Sequence, residues 1–112
     1  MSHNKINVIV AGATGYVGLD LVYYLSKHPK VNISYLCAQR NLGKDINFFD
    51  KRVSKKLPRI SDLKKVKWNN IDLIFLSLPN GEAQKIIQKN FHYKHLKFID
   101  LSADFRIRNS NK

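Results

Sequence analysis

A single cysteine, Cys37, stands among the 112 residues, so no disulfide can form within the chain. No apolar run approaches the roughly 18 residues that read as a membrane-spanning helix. Acidic residues are scarce: eight, against 20 lysines and arginines, for a formal net charge of +12. Such an excess raises nucleic-acid binding as a possibility. The excess is mostly lysine scattered along the chain, with no stripe and no arginine-rich arm, and lysine and asparagine are both abundant. A solvated basic surface is therefore expected, with no nucleic-acid or membrane partner. Histidines are few, and His3, His28, His92 and His95 form no metal-ligand or triad pattern. No cysteine or carboxylate cluster joins His92 and His95, and no metal is expected. Repeats and low-complexity segments are absent. Met1–Lys5 runs straight into an apolar segment and leaves no room for a signal peptide, so a cytoplasmic location is expected. The length allows one small domain. The polar end Arg108-Asn109-Ser110-Asn111-Lys112, without a closing helix, reads as a fragment or an excised domain.

Three of the five glycines stand together in Gly12-Ala13-Thr14-Gly15-Tyr16-Val17-Gly18. The apolar run 6–11 precedes them and the amphipathic run from Leu19 to Leu25 follows. A buried strand, a glycine-rich turn and a helix in that order make a site for a pyrophosphate. Glycine lets backbone approach phosphate without a Cβ clash, and a helix N-terminus presents unpaired N–H groups and partial positive charge. The spacing is G-x-x-G-x-x-G, where many dehydrogenases have G-x-G-x-x-G.

The rest of the chain alternates. Residues 16–27 predict a helix with Val17, Leu21, Val22 and Leu25 on one side, ended by Lys27-His28-Pro29. Residues 31–37 predict a second strand. Residues 38–63 are poorly legible: Gly43 marks a turn, Phe48-Phe49 a local apolar contact, Pro58 a break. Val66-Lys67-Trp68 reads as a short edge strand, Asn69-Asn70 as a turn and 71–78 as a central strand stopped by Pro79-Asn80-Gly81. A helix is expected over 82–91, with Ala83, Ile86, Ile87 and Phe91 at three- and four-residue spacing, and a strand over 97–101. Near-continuous apolar strands separated by helices argue for a parallel sheet covered on both faces. The fold class is α/β, a Rossmann-type doubly wound sheet, present here as an incomplete N-terminal part.

Ligands of such sheets bind beyond the carboxyl ends of the strands. That puts Gly12–Gly18, Cys37–Arg40, Ser77–Gly81 and Ser102–Arg106 on one rim. The end of the second strand meets the adenosine ribose, and Cys37-Ala38-Gln39-Arg40 carries no carboxylate for the ribose hydroxyls. Arg40 can instead pair with a 2′-phosphate, which favours NADP; the alternative is a solvated loop arginine. Thr14 can donate to a phosphate oxygen or cap the helix. Ser77, Leu78 and Pro79 either pass near the middle of the cofactor or only terminate the strand. Cys37, at the end of an apolar strand, reads as a small buried hydrophobe rather than a nucleophile.

Asp100-Leu101-Ser102-Ala103-Asp104-Phe105-Arg106 resembles a signature of the N-acetyl-gamma-glutamyl-phosphate reductases. The order of the glycine turn, His28-Pro29, Leu76-Ser77-Leu78-Pro79-Asn80-Gly81 and this segment resembles the same family over about residues 6–107, loosely across 41–70. Asn80 stands where a histidine is common. The resemblance implies an arginine-biosynthesis enzyme that reduces N-acetyl-glutamyl 5-phosphate to N-acetyl-glutamate 5-semialdehyde with NADPH and releases phosphate. In the related aspartate-semialdehyde dehydrogenases a cysteine thiolate forms a thioacyl enzyme, hydride resolves it and a histidine moves protons. It also implies cofactor binding by Gly12, Ala13, Thr14, Gly15, Tyr16, Val17, Gly18, Arg40, Ser77, Leu78 and Pro79. Substrate binding falls to Ser102 and to Arg106, the latter on the substrate phosphate. The family's catalytic cysteine and histidine lie further along, so residues 1–112 read as a truncated NADP-binding domain, inactive alone. The catalytic and dimerisation domain is missing, and a homo-oligomer is expected at full length.

Two rivals stand beside this reading. The first is a short-chain-dehydrogenase-like NADP protein, which would need a Tyr-x-x-x-Lys pair further along. Tyr16, Tyr23, Tyr24, Tyr35 and Tyr93 are read as supplying none. The second is a non-enzymatic basic nucleic-acid-binding module, which would need clustered arginines and exposed aromatics.

Overall fold

The computed structural model describes residues 5–79 and 81–101. Five parallel strands form one sheet: β1 (Ile6–Ala11), β2 (Val31–Cys37), β3 (Ile60–Ser61), β4 (Leu73–Leu76) and β5 (Lys97–Asp100). Their order across the sheet is β3-β2-β1-β4-β5. The chain thus winds outward from β1 in one direction through β2 and β3, and in the other through β4 and β5. The reversal falls between β1 and β4, where the loops leaving the two strands part and open a crevice.

Two helices supply the layers. α1 (Tyr16–Ser26) links β1 to β2, and α2 (Glu82–Asn90) links β4 to β5. Alternation along each strand sends side chains to both faces. Val8 and Val10 join Val22 of α1 and Val31 and Ile33 of β2 in one core cluster. Ile9, Ile74 and Leu76 join Ala83 of α2 and Leu96 in the other. Nearly all these side chains are removed from water, which at roughly 25 cal/mol per Å² of apolar area is the main force holding the layers together.

The sequence reading of β1 and β2 matches their bounds. α1 is one residue shorter than expected, because Lys27 is its C-cap and turns its N–H to the Tyr24 carbonyl. The central strand covers 73–76 within the expected 71–78: Ile71 closes a 3₁₀ turn at Trp68–Asn70 instead. Asp72 lies just outside β4, its carboxylate accepting the Asn7 N–H at 2.8 Å. Val66-Lys67-Trp68 is not an edge strand. The strand beside β2 is the two-residue β3, which the illegible stretch concealed, and Val66 is the C-cap of a short 3₁₀ turn, Leu63–Lys65. Phe91 does not extend the buried side of α2; it is the C-cap and is 69% exposed.

Candidate dinucleotide site

The turn after β1 is built by close backbone contact. Gly12 has φ +80°, and a Cβ there would run into the Ser77 carbonyl and touch Leu78 Cδ2 at 3.3 Å. A Cβ at Gly18 would run into the Gly12 carbonyl, so the first turn of α1 lies directly on the loop that precedes it. The Gly12 and Ala13 N–H groups both donate to the Cys37 carbonyl, at 2.9 and 3.1 Å, which pins the turn to the end of β2. Ala13 is fully buried.

Gly15 differs from its two neighbours. It is the exposed N-cap of α1, with φ −80° and ψ 174°, and a Cβ there would meet only the Gly12 carbonyl at an ordinary 3.7 Å. No side chain caps the helix, so Thr14 does not serve as the cap. The first N–H groups of an α-helix have no partner within it. The first turn of α1 therefore presents bare donors, beside a carbon-free edge at Gly15 and with the positive end of the helix dipole behind them. That is the donor set an anionic pyrophosphate requires, and the residues present fit a dinucleotide. Tyr16 is 94% exposed at the mouth of this site, and Val17 is half-buried.

Ser77 and Leu78 flank the turn from β4. The Ser77 N–H donates to the Ala11 carbonyl at 2.9 Å, extending the strand pairing to the rim. Pro79 accepts the Glu82 N–H at 3.1 Å and so helps start α2. Gly12–Gly18 and Ser77–Pro79 thus meet across the switch point. Ser102 and Arg106 lie outside the described residues, as does Asn80.

The end of β2 forms the outer corner. Arg40 is exposed at the tip of a loop. No carboxylate stands on Cys37–Arg40, yet one reaches the corner from β3. Asp62 follows Ser61, the partner of Cys37, and was not expected from sequence because β3 was not legible. One Asp62 oxygen accepts the Lys64 N–H at 2.9 Å, the cap of the short 3₁₀ turn. Cys37 is buried, and burial pushes its thiol up to about 11. A hydrogen bond with Ser61 opposes the shift, and the nearby Asp62 charge adds to it. At neutral pH the group is a thiol, not a nucleophile.

Two further features steady α1. Arg52 contacts Asp20 Oδ1 and Asp50 Oδ2, each at 2.7 Å, and lies over the Tyr23 ring at 4.4 Å. This ties segment 50–53 to the middle of the helix, and Arg52 holds the Asp50 carboxyl below its usual range. Tyr23 and Lys27 stand four residues apart, as do Tyr93 and Lys97 at the start of β5, so the chain does contain Tyr-x-x-x-Lys spacings, contrary to the sequence reading. The Lys27 Nζ donates to the Tyr23 hydroxyl at 3.2 Å. The first pair sits at the C-terminal end of α1, the end away from the glycine turn, and the second at the start of β5, opposite the rim, so neither lies where a ligand of the turn would be held.

The family model for the semialdehyde dehydrogenase NAD-binding domain matches residues 7–111. The chain belongs to this family. It is 42% identical, over 106 residues and 93% of its length, to an N-acetyl-gamma-glutamyl-phosphate reductase of Ehrlichia ruminantium (strain Gardel), and spans 30% of that relative. Among solved structures it resembles aspartate semialdehyde dehydrogenase II of Vibrio cholerae, with TM-score 0.72 and 24% identity over 91% of this chain and 32% of the other. It also resembles the Candida albicans aspartate semialdehyde dehydrogenase solved with NADP, with TM-score 0.65 and 25% identity over 91% of this chain and 31% of the other. An NAD-binding α/β domain is thus shown, and the expected fold class is borne out. No helix among the described residues is long and apolar enough to cross a membrane.

Proposed function

We propose that this chain is the NADP-binding part of an N-acetyl-gamma-glutamyl-phosphate reductase. The full-length protein then reduces N-acetyl-glutamyl 5-phosphate to N-acetyl-glutamate 5-semialdehyde, with release of phosphate, in arginine biosynthesis. The cofactor supplies hydride when bound. The residues of this chain bind and orient. Backbone N–H groups at Thr14, Tyr16 and Val17 take the pyrophosphate, the Gly15 N–H being used within the turn on the Gly12 carbonyl at 3.2 Å, and Gly12, Ala13 and Gly18 let the turn pack closely enough to present them. Ser77, Leu78 and Pro79 line the passage toward the nicotinamide end. Arg40 takes the 2′-phosphate, which its planar fork suits. Ser102 and Arg106 bind the acyl-phosphate substrate. The nucleophile and the proton-moving histidine belong to a region beyond this chain, since Cys37 is buried and protonated. A cytoplasmic homo-oligomer, with no nucleic-acid or membrane partner, completes the reading.

The observation that carries it is the uncapped, glycine-edged start of α1 at the switch point. Gly15→Val in the full-length protein is the test, because the fold tolerates a Cβ there while the ligand does not. Calorimetry should show NADPH binding lost with an unchanged circular dichroism spectrum. Retained binding would mean that the phosphates are held elsewhere. For the substrate, Arg106→Lys keeps the charge but loses the fork. A fall of about ten- to a hundred-fold in acyl-phosphate kcat/KM, with NADPH affinity unchanged, is expected.

A further inference from the structure

The loop that carries Arg40 is fastened at both ends to adjacent residues of one short strand. On the outgoing side the Ala38 N–H donates to the Ser61 carbonyl at 3.3 Å, continuing the β2–β3 pairing by one residue. On the return side the Gly43 N–H donates to the Ile60 carbonyl at 2.7 Å, and the Ile60 N–H donates back to the Lys44 carbonyl at 2.9 Å. The Lys44 N–H closes a turn onto the Asn41 carbonyl at 3.2 Å, and Arg59 Nη1 donates to the Gly43 carbonyl at 3.3 Å. The reversal needs two left-handed residues, Asn41 at φ 64° and Gly43 at φ 86°. Asparagine and glycine are the residues that take this conformation at low cost. Between the anchors, Gln39, Arg40, Asn41 and Leu42 are all exposed, so no packing holds the tip. The anchor itself is solid, because Ile60 is 2% exposed within the core cluster on the α1 face.

We propose that Asn41 and Gly43 are positioning residues for cofactor selectivity: the turn they form, bolted to Ile60 of β3, holds Arg40 where the 2′-phosphate of NADP arrives. Neither residue touches the cofactor. This inference rests on the reading of Arg40 as the 2′-phosphate ligand. A long exposed arginine on a free loop would lose rotamer and backbone freedom on binding, and a pre-fixed loop removes the backbone share of that cost. The contribution appears only with a ligand that has a 2′-phosphate, so it acts on the ratio of NADPH to NADH affinity rather than on dinucleotide binding as such. It also gives β3, only two residues long, a role beyond closing the sheet.

The test titrates the full-length protein with NADPH and with NADH by calorimetry. Gly43→Val cannot hold φ 86° without strain, although a Cβ there meets nothing within 4 Å, so the core is untouched. It should lower NADPH affinity by about five- to thirtyfold, the scale of about 1–2 kcal/mol of strain at a left-handed residue, and leave NADH affinity unchanged. Gly43→Asn, which tolerates the same φ, should restore selectivity. In an Arg40→Ala background Gly43→Val should cost nothing further. Unchanged selectivity in Gly43→Val, in a protein where Arg40→Ala lowers it, overturns the inference and leaves the reading of Arg40 intact. An equal loss for both cofactors also overturns it, since that marks a general structural role. If Arg40→Ala leaves selectivity unchanged, the reading of Arg40 fails and the inference with it. Should Gly43→Val not fold, Asn41→Val at its exposed position carries the same outcomes.

Discussion

β1 stands at the centre of the sheet and β5 at its edge. Both are parallel strands, Ile6-Asn7-Val8-Ile9-Val10-Ala11 and Lys97-Phe98-Ile99-Asp100, the second with a charged residue at each end. Four of the six residues of β1 are buried, whereas three of the four residues of β5 are exposed. β1 pairs with β2 on one side and β4 on the other, and β5 pairs only with β4. The two faces differ as well. Phe98 pairs in register with Ile74 and packs in the cluster with α2. Ile99 pairs in register with Phe75, whose side chain points to the α1 face, and there Ile99 is 39% exposed. α1 covers β1 and β2 on that face and does not reach β5. Composition accounts for the exposure of Lys97 and Asp100, and position in the sheet order for that of Ile99. It is the central strand that feeds the glycine turn.

The largest expected effect breaks the comparison at its strong end. Ile9→Ala removes a fully buried side chain and should cost about 2–5 kcal/mol, read as lost hydrogen-exchange protection across the whole sheet of the full-length protein. Next comes Cys37, on the neighbouring β2. Burial holds its thiol at about 11 in the folded protein, above the ordinary value of 9.0. The stabilisation from the neutral thiol is thus complete below pH 9 and lost as pH rises through 11. That loss should amount to on the order of 2–3 kcal/mol, and Cys37→Ser or Cys37→Ala should flatten the pH dependence in that window. At pH 8 alkylation of Cys37 should be slow and limited by opening of the sheet. Rapid labelling by iodoacetamide in the native protein would contradict this burial. Gly18→Ala should follow, because its Cβ would push α1 off the Gly12 carbonyl. A loss of about 1–3 kcal/mol is expected, together with weaker dinucleotide binding. Ile99→Ala should have the smallest effect, under about 1 kcal/mol for a half-exposed side chain. A cost there equal to that of Ile9→Ala would show that β5 is covered as tightly as β1 in the full-length protein.

The same contrast explains what was legible in the sequence. The apolar run Val8–Ala11 ended by Gly12 made β1 legible, β-branched and aromatic residues made β2 legible, and apolar residues at three- and four-residue spacing made both helices legible. The rim assignment of Gly12–Gly18, Arg40 and Ser77–Pro79 followed from element order alone. β3 was missed because two residues, Ile60 and Ser61, carry no periodicity; their strand character comes from the free edge of β2. The reading of Val66–Trp68 as a strand failed because Val66 and Trp68 are apolar for packing in the cluster on the α2 face, where they sit at two 3₁₀ turns. Asp62 was unforeseen because a carboxylate 25 positions beyond Cys37 in sequence comes near it only through β3. The Tyr23–Lys27 spacing could have been found by inspection, and only its location on the far end of α1 deprives it of meaning.

The α/β class and the glycine turn between strand and helix were legible from sequence, because local periodicity and turn chemistry act over a few residues. Which glycines are clamped by backbone and which one is left open came only from tertiary contacts. Gly12 and Gly18 are fixed by carbonyls of Ser77 and Gly12, while Gly15 is left open. The bolting of the Arg40 loop to Ile60 is likewise tertiary, a contact between residues far apart along the chain. Such contacts depend on strand order and register, which the pairing of β2 with β3 supplies and no short window of sequence contains.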